Sequence, residues 1–186
     1  VSKILKLAEI HVSADLDGET VVRVPSRNGS EEAVIAALPW VPERRAVPWE
    51  SLSSGPKGKP FEDYAQRVSE GARFVCRSFT EDTINIFMGH LLIDGAVVGH
   101  GGGERPLHIT DTYAVPADSM PKDNIHYIAL GHLHGNQEVV SPVPCRYSGS
   151  LLQLDFGERG QKKVVHLVAR KLLNLVKIKL QQYYCL

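Results

Sequence analysis

The sequence predicts a layered α/β (α+β) fold, in which short strands alternate with at least one long helix. Residues 20–24 are rich in β-branched side chains and predict a strand. The continuous apolar run 33–38, closed by Pro39, predicts a strand buried on both faces. Apolar residues recur at helical spacing over 61–76, with Pro60 near the first turn, and predict the longest helix.

The segments around these elements carry weaker signals. Ser2 is expected to cap a short N-terminal helix, and Val12 is expected to begin a strand. Residues 39–60 are rich in Pro, Gly, Ser and charge, which predicts a long connection.

Strands dominate the second half of the chain. Two strands are predicted at 83–88 and 125–130, and a glycine-rich loop is predicted at 99–103. Shorter β segments are expected at 139–140, 145–147, 151–154 and 164–168. Val176, Ile178 and Leu180 alternate with lysines, as in a half-buried strand.

Composition bounds the class of protein. The 186 residues suffice for one ordinary domain, and the 21 basic residues balance the 21 acidic ones, so any nucleic-acid contact requires a local patch. The three cysteines have no C-x-x-C spacing, which argues against a disulfide framework or a structural zinc site and favours a cytoplasmic location. No apolar run approaches a membrane span, and no signal-peptide pattern is present. The first residue is not Met, so we expect either processing or a start inside a longer protein.

Residues 160–186 contain no acidic side chain and form a local basic segment. Two interpretations remain open: a solvated face of edge strands, where lysine discourages edge pairing, or a surface that follows phosphates. The first is favoured, because charge runs usually lie on solvated faces. The basic side chains are those of Lys162, Lys163, Arg170, Lys171, Lys177 and Lys179.

Two predicted strands end in the same pattern, an apolar run followed by Gly and His. His90 follows the first strand, and His132 and His134 follow the second in an H-x-H pair bracketed by glycines. Ligands of open α/β sheets bind beyond the carboxyl ends of strands, and neutral imidazole is a common ligand of divalent transition metals. The pattern therefore makes these three histidines candidate metal ligands, although an H-x-H pair also occurs as two polar loop residues.

The other histidines carry less functional signal. His126 and His166 lie in predicted strands and are interpreted as satisfied or solvent-facing residues. His100, in the glycine-rich loop, is interpreted as solvated in preference to substrate-binding. His11 and His108 have no supporting context.

Six blocks between Ile84 and Glu158 resemble the SbcD nuclease family, in the family's order. These blocks are residues 86–90 (IFMGH), 102–107 (GGERPL), 113–117 (YAVPA), 128–134 (IALGHLH), 147–151 (YSGSL) and 155–158 (DFGE). A vaguer similarity covers residues 33–38, which in the family form a strand ending in Leu-Pro and an aromatic residue.

The resemblance implies a calcineurin-like metallophosphoesterase fold, a β-sandwich flanked by helices, of which this chain carries the C-terminal portion. Residues 1–169 would belong to this nuclease domain. Residues 170–186, the last part of the basic segment, would begin a capping or partner-binding region. His90 and His132 would bind one of two Mn²⁺ ions, and His134 would bind the other. The implied partners are DNA, an SbcC-type ATPase and a second copy of the chain, with no membrane.

Three earlier motifs of that family are absent from this sequence: Asp-x-His, Gly-Asp-x-x-Asp and Gly-Asn-His-Asp. They would supply a bridging Asp, an Asn ligand and the His that assists the leaving group, so no catalytic or substrate-binding residue is assigned here. We expect the chain to begin downstream of them. Three imidazoles without carboxylates should hold Mn²⁺ poorly, because Mn²⁺ is a fairly hard ion that lies lowest in the affinity series.

Three functions therefore stay open. The first is a metal-dependent DNA exonuclease and endonuclease subunit of repair and recombination, inactive as this isolated chain. The second is a phosphoesterase acting on small phosphoesters, and the third is a non-catalytic scaffold module. The GGERPL and YSGSL blocks favour the first over the second, and the absent acidic motifs favour the third for the chain by itself.

Overall fold

A computed structural model of the chain describes residues 9–42, 59–98, 113–154, 156–169 and 179–184, with the backbone alone for 59–61 and 179–184. One long helix, α1 (Lys59–Cys76), and eight strands organise these residues. The strands are β1 (Val21–Pro25), β2 (Glu32–Leu38), β3 (Ile84–His90), β4 (Tyr127–Gly131), β5 (Gln137–Val139), β6 (Cys145–Tyr147), β7 (Val164–Ala169) and β8 (Lys179–Tyr184). Short 3₁₀ turns occur at Ala117–Ser119 and Phe156–Glu158.

The first six strands form one mixed sheet in the order β1-β2-β3-β4-β6-β5. Strands β2, β3, β4 and β6 run parallel to one another, and β1 and β5 pair antiparallel at the two edges. Parallel neighbours end at the same edge of a sheet, so the residues that follow β2, β3 and β4 are brought together.

The core lies between α1 and one face of this sheet. Val68, Ala72 and Val75 recur at helical spacing and are buried, and they belong to one cluster with Val34 of β2 and Phe87 of β3. Burying each large apolar side chain contributes about 1.5–3 kcal/mol to folding. The helix therefore anchors the parallel strands on which the candidate histidines depend.

The opposite face of the sheet is apolar but incompletely covered. Ile35, Ile86 and Ala129 are only half-buried, and the Met88 side chain is 47% exposed. The prediction that residues 33–38 are buried on both faces is therefore wrong for Ala33 and Ile35, which are half-buried, and right for Ala37 on the same face. An apolar sheet face of this kind is what a second layer covers in a sandwich.

Strands β7 and β8 form a separate antiparallel pair, in which Val164 lies opposite Tyr184 and Ala169 opposite Lys179. His166 on β7 joins this pair to the main sheet: its Nδ1 lies 3.3 Å from the Tyr127 hydroxyl, and its Nε2 lies 2.9 Å from the Asn136 amide oxygen. The expectation of a satisfied histidine in a strand is confirmed. The predicted domain boundary after residue 169 falls between these two paired strands, since β7 ends at Ala169 and β8 begins at Lys179. The boundary itself stays a prediction.

The predicted α/β fold class, the long helix and the strands at 20–24, 83–88, 125–130, 145–147 and 164–168 are confirmed within a residue or two. At 139–140 the strand instead ends at Val139. The strand expected from Val12 is wrong, because residues 11–14 have no regular structure and Ser13 donates a hydrogen bond to the Ala37 carbonyl at 3.3 Å. The helix expected after Ser2 and most of the 39–60 connection lie outside the described residues.

The strand predicted at 151–154 is also wrong. Its backbone bends at residues 151 and 152 and has no regular structure at 153 and 154. The side chains of Leu151, Leu152 and Leu154 are more than half exposed. The Leu154 amide donates to Glu158 Oε2 at 3.1 Å, so a nearby carboxylate satisfies this backbone group where a strand would use a neighbour.

Candidate metal site at the carboxyl ends of β3 and β4

The end of β3 places His90 beside the loop that follows β4. In the parallel β3–β4 ladder, His90 is paired with Gly131, the residue before His132. A Cβ on Gly131 would lie 3.2 Å from His90 Nδ1, which is tighter than an ordinary contact. Glycine at 131 therefore lets the His90 ring lie against the backbone of the loop.

The two imidazoles converge in a T-shaped arrangement. His90 Nε2 and His132 Nδ1 lie 3.4 Å apart, and the ring centroids are separated by 5.2 Å at an interplanar angle of 76°. The Trp40 indole stacks on His132 with centroids 5.5 Å apart and meets the His90 ring edge-on at 5.7 Å. Trp40 follows Pro39 after β2, so three neighbouring parallel strands supply this aromatic cluster.

His132 adopts an uncommon backbone conformation. Its φ is +107°, in a region of backbone conformation that residues other than glycine rarely adopt. Such a conformation costs about 1–3 kcal/mol and persists only where the surroundings impose it. Strain of this kind clusters at functional sites, so the value at His132 points to a site in which the direction of this side chain matters.

His134 is held by a carboxylate from a distant part of the chain. Its Nδ1 lies 2.6 Å from Glu158 Oε1, and Glu158 is 0% exposed. The other oxygen, Oε2, accepts hydrogen bonds from Lys163 Nζ at 2.7 Å, the Leu154 amide at 3.1 Å and the Ser150 hydroxyl at 3.1 Å. His134 and the buried pair of Glu158 and Lys163 thus form a clamp, here called the Glu158 clamp.

The electrostatics of the clamp favour a charged carboxylate. Burial alone raises the pKa of Glu158, but the hydrogen bonds from Lys163, the Leu154 amide, His134 and Ser150 outweigh it and lower the pKa to about 2. Lys163 is itself buried and also donates to the His134 carbonyl at 3.2 Å. At His90, desolvation of the ring lowers the pKa below its ordinary value of 6.5, which favours the neutral imidazole that binds metals.

The loop after β6 closes over the histidine loop at Gly149. Gly149 has a φ of +82°, and a Cβ there would lie 2.5 Å from the His134 carbonyl oxygen and 3.1 Å from the Asn136 amide. The Ser150 amide donates to the same carbonyl at 3.2 Å. Only glycine fits this approach, so residues 148–150 fix the backbone that carries His134.

A cavity of about 570 Å³ adjoins the histidine pair. Its walls come from the ends of β2, β3 and β4 and include Trp40, His90 and Gly131, with Ser13 and Ser148 at the edges. His90 therefore lines a space large enough for a phosphoester group or for further protein side chains.

The spacing of the pair fits two ligands of one cation. Two nitrogens bound at about 2.1 Å and a tetrahedral angle lie about 3.4 Å apart, which is the separation found between His90 and His132. The same distance also allows a hydrogen bond between the rings. Among the described residues, no group of three or more His, Cys, Asp and Glu side chains is arranged to hold a metal ion.

The structure thus brings His90 and His132 together, while His134 is engaged at its Nδ1 by Glu158. The role of all three histidines as metal ligands stays a prediction. His126 accepts a hydrogen bond from the Asn85 amide at 2.8 Å and is a satisfied residue, as expected. His11 lies 3.7 Å from Glu19 at the surface, and His100 and His108 lie outside the described residues.

Sequence reasoning missed three residues of this region. Lys163 was interpreted as part of a solvated basic face, which is wrong because its ammonium group is buried against Glu158. Glu158 appeared only as the last letter of a family block, and Trp40 only as an aromatic after Leu-Pro. The DFGE block was the available signal for Glu158, because it is one of the blocks that carry the resemblance to the SbcD family.

The chain is similar to the SbcD subunit of nuclease SbcCD from several bacteria. It is 32% identical over 152 residues to that of Bacillus subtilis (strain 168), covering 81% of this chain and 37% of the relative. The identity to the Staphylococcus epidermidis subunit is 34% over 121 residues, which cover 63% of this chain and 31% of the relative. The identity to the Escherichia coli K12 subunit is 30% over 151 residues, which cover 78% of this chain and 36% of the relative. No protein-family model matches the chain.

The chain spans between 31% and 37% of the length of these relatives. The mixed six-stranded sheet with its long helix is compatible with part of the metallophosphoesterase domain implied by the resemblance. In the described part of the chain, no helix is both long and apolar enough to cross a membrane. By sequence similarity, this chain belongs to the family of SbcD-type nuclease subunits and corresponds to a part of one.

Proposed function

We propose that this chain is the C-terminal part of the nuclease domain of a metal-dependent DNA exonuclease and endonuclease that acts in repair and recombination. The observation that carries the proposal is the convergence of His90 and His132 at 3.4 Å beyond the ends of two parallel strands. The similarity to the SbcD subunit of nuclease SbcCD supports the reaction class. The residues of this chain supply part of the site, and carboxylates from elsewhere in the longer protein complete it.

Each residue of the site then has a defined task. His90 and His132 bind one divalent ion side by side, and His134 binds the second through its other ring nitrogen. Trp40 restrains both rings of the first pair by stacking on one and contacting the edge of the other. When bound, a pair of divalent ions, Mn²⁺ in this proposal, activates water and stabilises the charge that develops on the phosphodiester.

The proposed partners follow from the same relatives. The name SbcCD indicates that the relatives act in a complex of SbcC and SbcD, and we propose an SbcC-type ATPase as the partner of the complete protein. DNA is the proposed substrate, and a homodimer is the proposed assembly. A cytoplasmic location is supported by Cys76 and Cys145, which are free and buried.

A nuclease assay on the complete gene product tests the proposal. With Mn²⁺ and linear duplex DNA, His132→Ala should lower the rate on the order of 10²-fold, because losing a ligand weakens the metal that the reaction requires. His11→Ala is the matched control, since His11 is a surface histidine paired with Glu19. Equal rates for His132→Ala and the native protein would remove the proposed role of His132.

The same variants separate the alternatives. A small-phosphoester enzyme should hydrolyse bis(p-nitrophenyl) phosphate but leave DNA intact, and this activity should also depend on His132. A scaffold module should show neither activity and should bind its ATPase partner equally well with and without His132→Ala. For the isolated chain we expect no nuclease activity, since the carboxylates that Mn²⁺ prefers are not among its candidate ligands.

A further inference from the structure

The Glu158 clamp joins two parts of the chain that the proposed reaction does not by itself require to meet. Glu158 lies 24 residues after His134, yet their side chains approach to 2.6 Å in a region where Glu158 is fully buried. A buried carboxylate is unfavourable unless it is paired and hydrogen-bonded. Its presence directly behind a candidate metal ligand therefore requires an explanation.

The two oxygens of Glu158 have separate tasks. Oε2 accepts hydrogen bonds from Lys163, the Leu154 amide and the Ser150 hydroxyl, and Oε1 faces His134. Three donors on one oxygen prevent the carboxylate from rotating. Oε1 is thereby held at a fixed position toward the imidazole.

A fixed carboxylate dictates the tautomer of the ring beside it. A carboxylate paired with a buried ammonium group only accepts hydrogen bonds, so the hydrogen of the His134 ring must lie on Nδ1. The ring lone pair then lies on Nε2, on the opposite side from Glu158. A neutral imidazole can donate through one nitrogen and bind a cation through the other only in this arrangement.

The backbone of His134 is held by the same group of residues. Its carbonyl accepts hydrogen bonds from Lys163 Nζ at 3.2 Å and from the Ser150 amide at 3.2 Å. Lys163 and Ser150 therefore contact both the carboxylate behind the ring and the main chain that carries it. Ring orientation and backbone position are coupled through one cluster.

We propose that Glu158 is the positioning residue of His134, anchored by Lys163, and that it selects the tautomer whose Nε2 binds the cation. This inference rests on the proposed function, because it assigns the orientation of one proposed ligand. It adds Glu158 and Lys163 to the site, neither of which contacts the cation in this proposal. A purely structural clamp would hold the loop and the ring in the same way but would have no required effect on Mn²⁺ affinity.

The first test needs no variant. In the full-length protein labelled with ¹⁵N-histidine, without metal and at pH 8, His134 should give the NMR pattern of the tautomer protonated at Nδ1. This is the minor form of free histidine, so its dominance would show that the surroundings of the ring impose it, as a carboxylate at Nδ1 should. A His134 ring protonated at Nε2 would overturn the proposal directly.

The second test changes the clamp. Glu158→Gln should shift His134 toward the Nε2-protonated form and weaken Mn²⁺ binding, measured by calorimetry, by about 10–100-fold. The double variant Glu158→Gln/Lys163→Met removes both buried charges together, so it should show the same loss of affinity without leaving a lone ammonium group. Glu81→Gln, at an exposed turn before β3, is the control and should bind Mn²⁺ as the native protein does.

The outcomes distinguish a failure of the positioning role of Glu158 from a failure of the proposed metal-ligand role of His134. If the tautomer and the Mn²⁺ affinity are both unchanged in folded Glu158→Gln protein, Glu158 does not position His134 and the inference fails. If the tautomer changes but neither Glu158→Gln nor His134→Ala alters Mn²⁺ binding, the ring is positioned as stated but is not a ligand. That result would overturn the proposed role of His134 while leaving His90 and His132 to their own test.

Discussion

Individual residues of this site combine unfavourable conformations with specific contacts. His132 has a backbone φ of +107°, and its ring is stacked by Trp40 and lies 3.4 Å from His90. A residue chosen for stability alone would avoid this conformation, because it costs about 1–3 kcal/mol. The strain is understandable if the direction of the imidazole matters more than the stability of the loop.

We expect His132→Gly to be more stable than His132→Ala by about 1 kcal/mol, because glycine accepts a positive φ that alanine does not. Both variants lack the imidazole, so both should lose the proposed metal contact equally. Urea unfolding monitored by tryptophan fluorescence measures the difference in the free energy of unfolding. An alanine variant as stable as the glycine variant would show that the backbone at 132 relaxes once the histidine is gone.

At the scale of secondary-structure elements, the histidine loop depends on contacts made by its neighbours. The loop after β6 approaches the His134 carbonyl at Gly149, and β7 is joined to β4 through His166 and Tyr127. Both contacts involve polar or backbone groups and therefore require a defined geometry. The site is supported from two directions by elements that carry no candidate ligand.

Gly149→Ala should lower the free energy of unfolding by more than the 1–3 kcal/mol typical of a strained backbone alone, because its Cβ would lie 2.5 Å from a carbonyl oxygen. Gly160→Ala is a matched control: Gly160 has the same φ of +82° but no neighbour within 4 Å of a Cβ. Denaturant titration of both variants separates the clash from the strain. Equal losses at the two positions would contradict the close approach at Gly149.

The contact between β7 and β4 should weaken in mild acid. Burial, and then the charge of Arg146, lower the pKa of His166 from 6.5, so the unfolded chain binds a proton more readily than the folded one. The stability that neutral His166 contributes is therefore present above pH 6.5 and is lost as the pH falls below it. The free energy of unfolding should fall less steeply between pH 7 and pH 5 in His166→Gln than in the native protein, and equal slopes would exclude His166 as the cause.

At the scale of the whole molecule, the sequence predicted the parts whose signals are local. The apolar runs that end in Gly-His at 90 and 132 predicted two strands with a site beyond their carboxyl ends, and the helical spacing after Pro60 predicted the long helix. A resemblance spread over residues 84–158 supplied the family. These predictions depend on periodicity and short motifs, which can be recognised in the sequence without knowing which distant residues are in contact.

The parts that were wrong depend on pairing between distant residues. Residues 151–154 have the composition of a strand, but the carboxylate of Glu158 satisfies the Leu154 amide and the chain bends. Lys163 belongs to a basic run by sequence, but its partner makes it a buried residue. Neither contact can be read from local composition, because it depends on how the loop after β6 folds back onto the histidine loop.

The pairing of His90 with Gly131 also links the candidate site to the alignment of the sheet. Successive residues of a strand advance by about 3.3 Å, so sliding β3 along β4 by one position would move the two imidazole nitrogens apart by a comparable distance and turn one ring to the opposite face. No cation could then bridge them. In the proposed site, cation binding by this pair would favour the native alignment of β3 and β4 over a shifted one, so a metal would then aid assembly of the sheet in addition to its proposed part in the reaction.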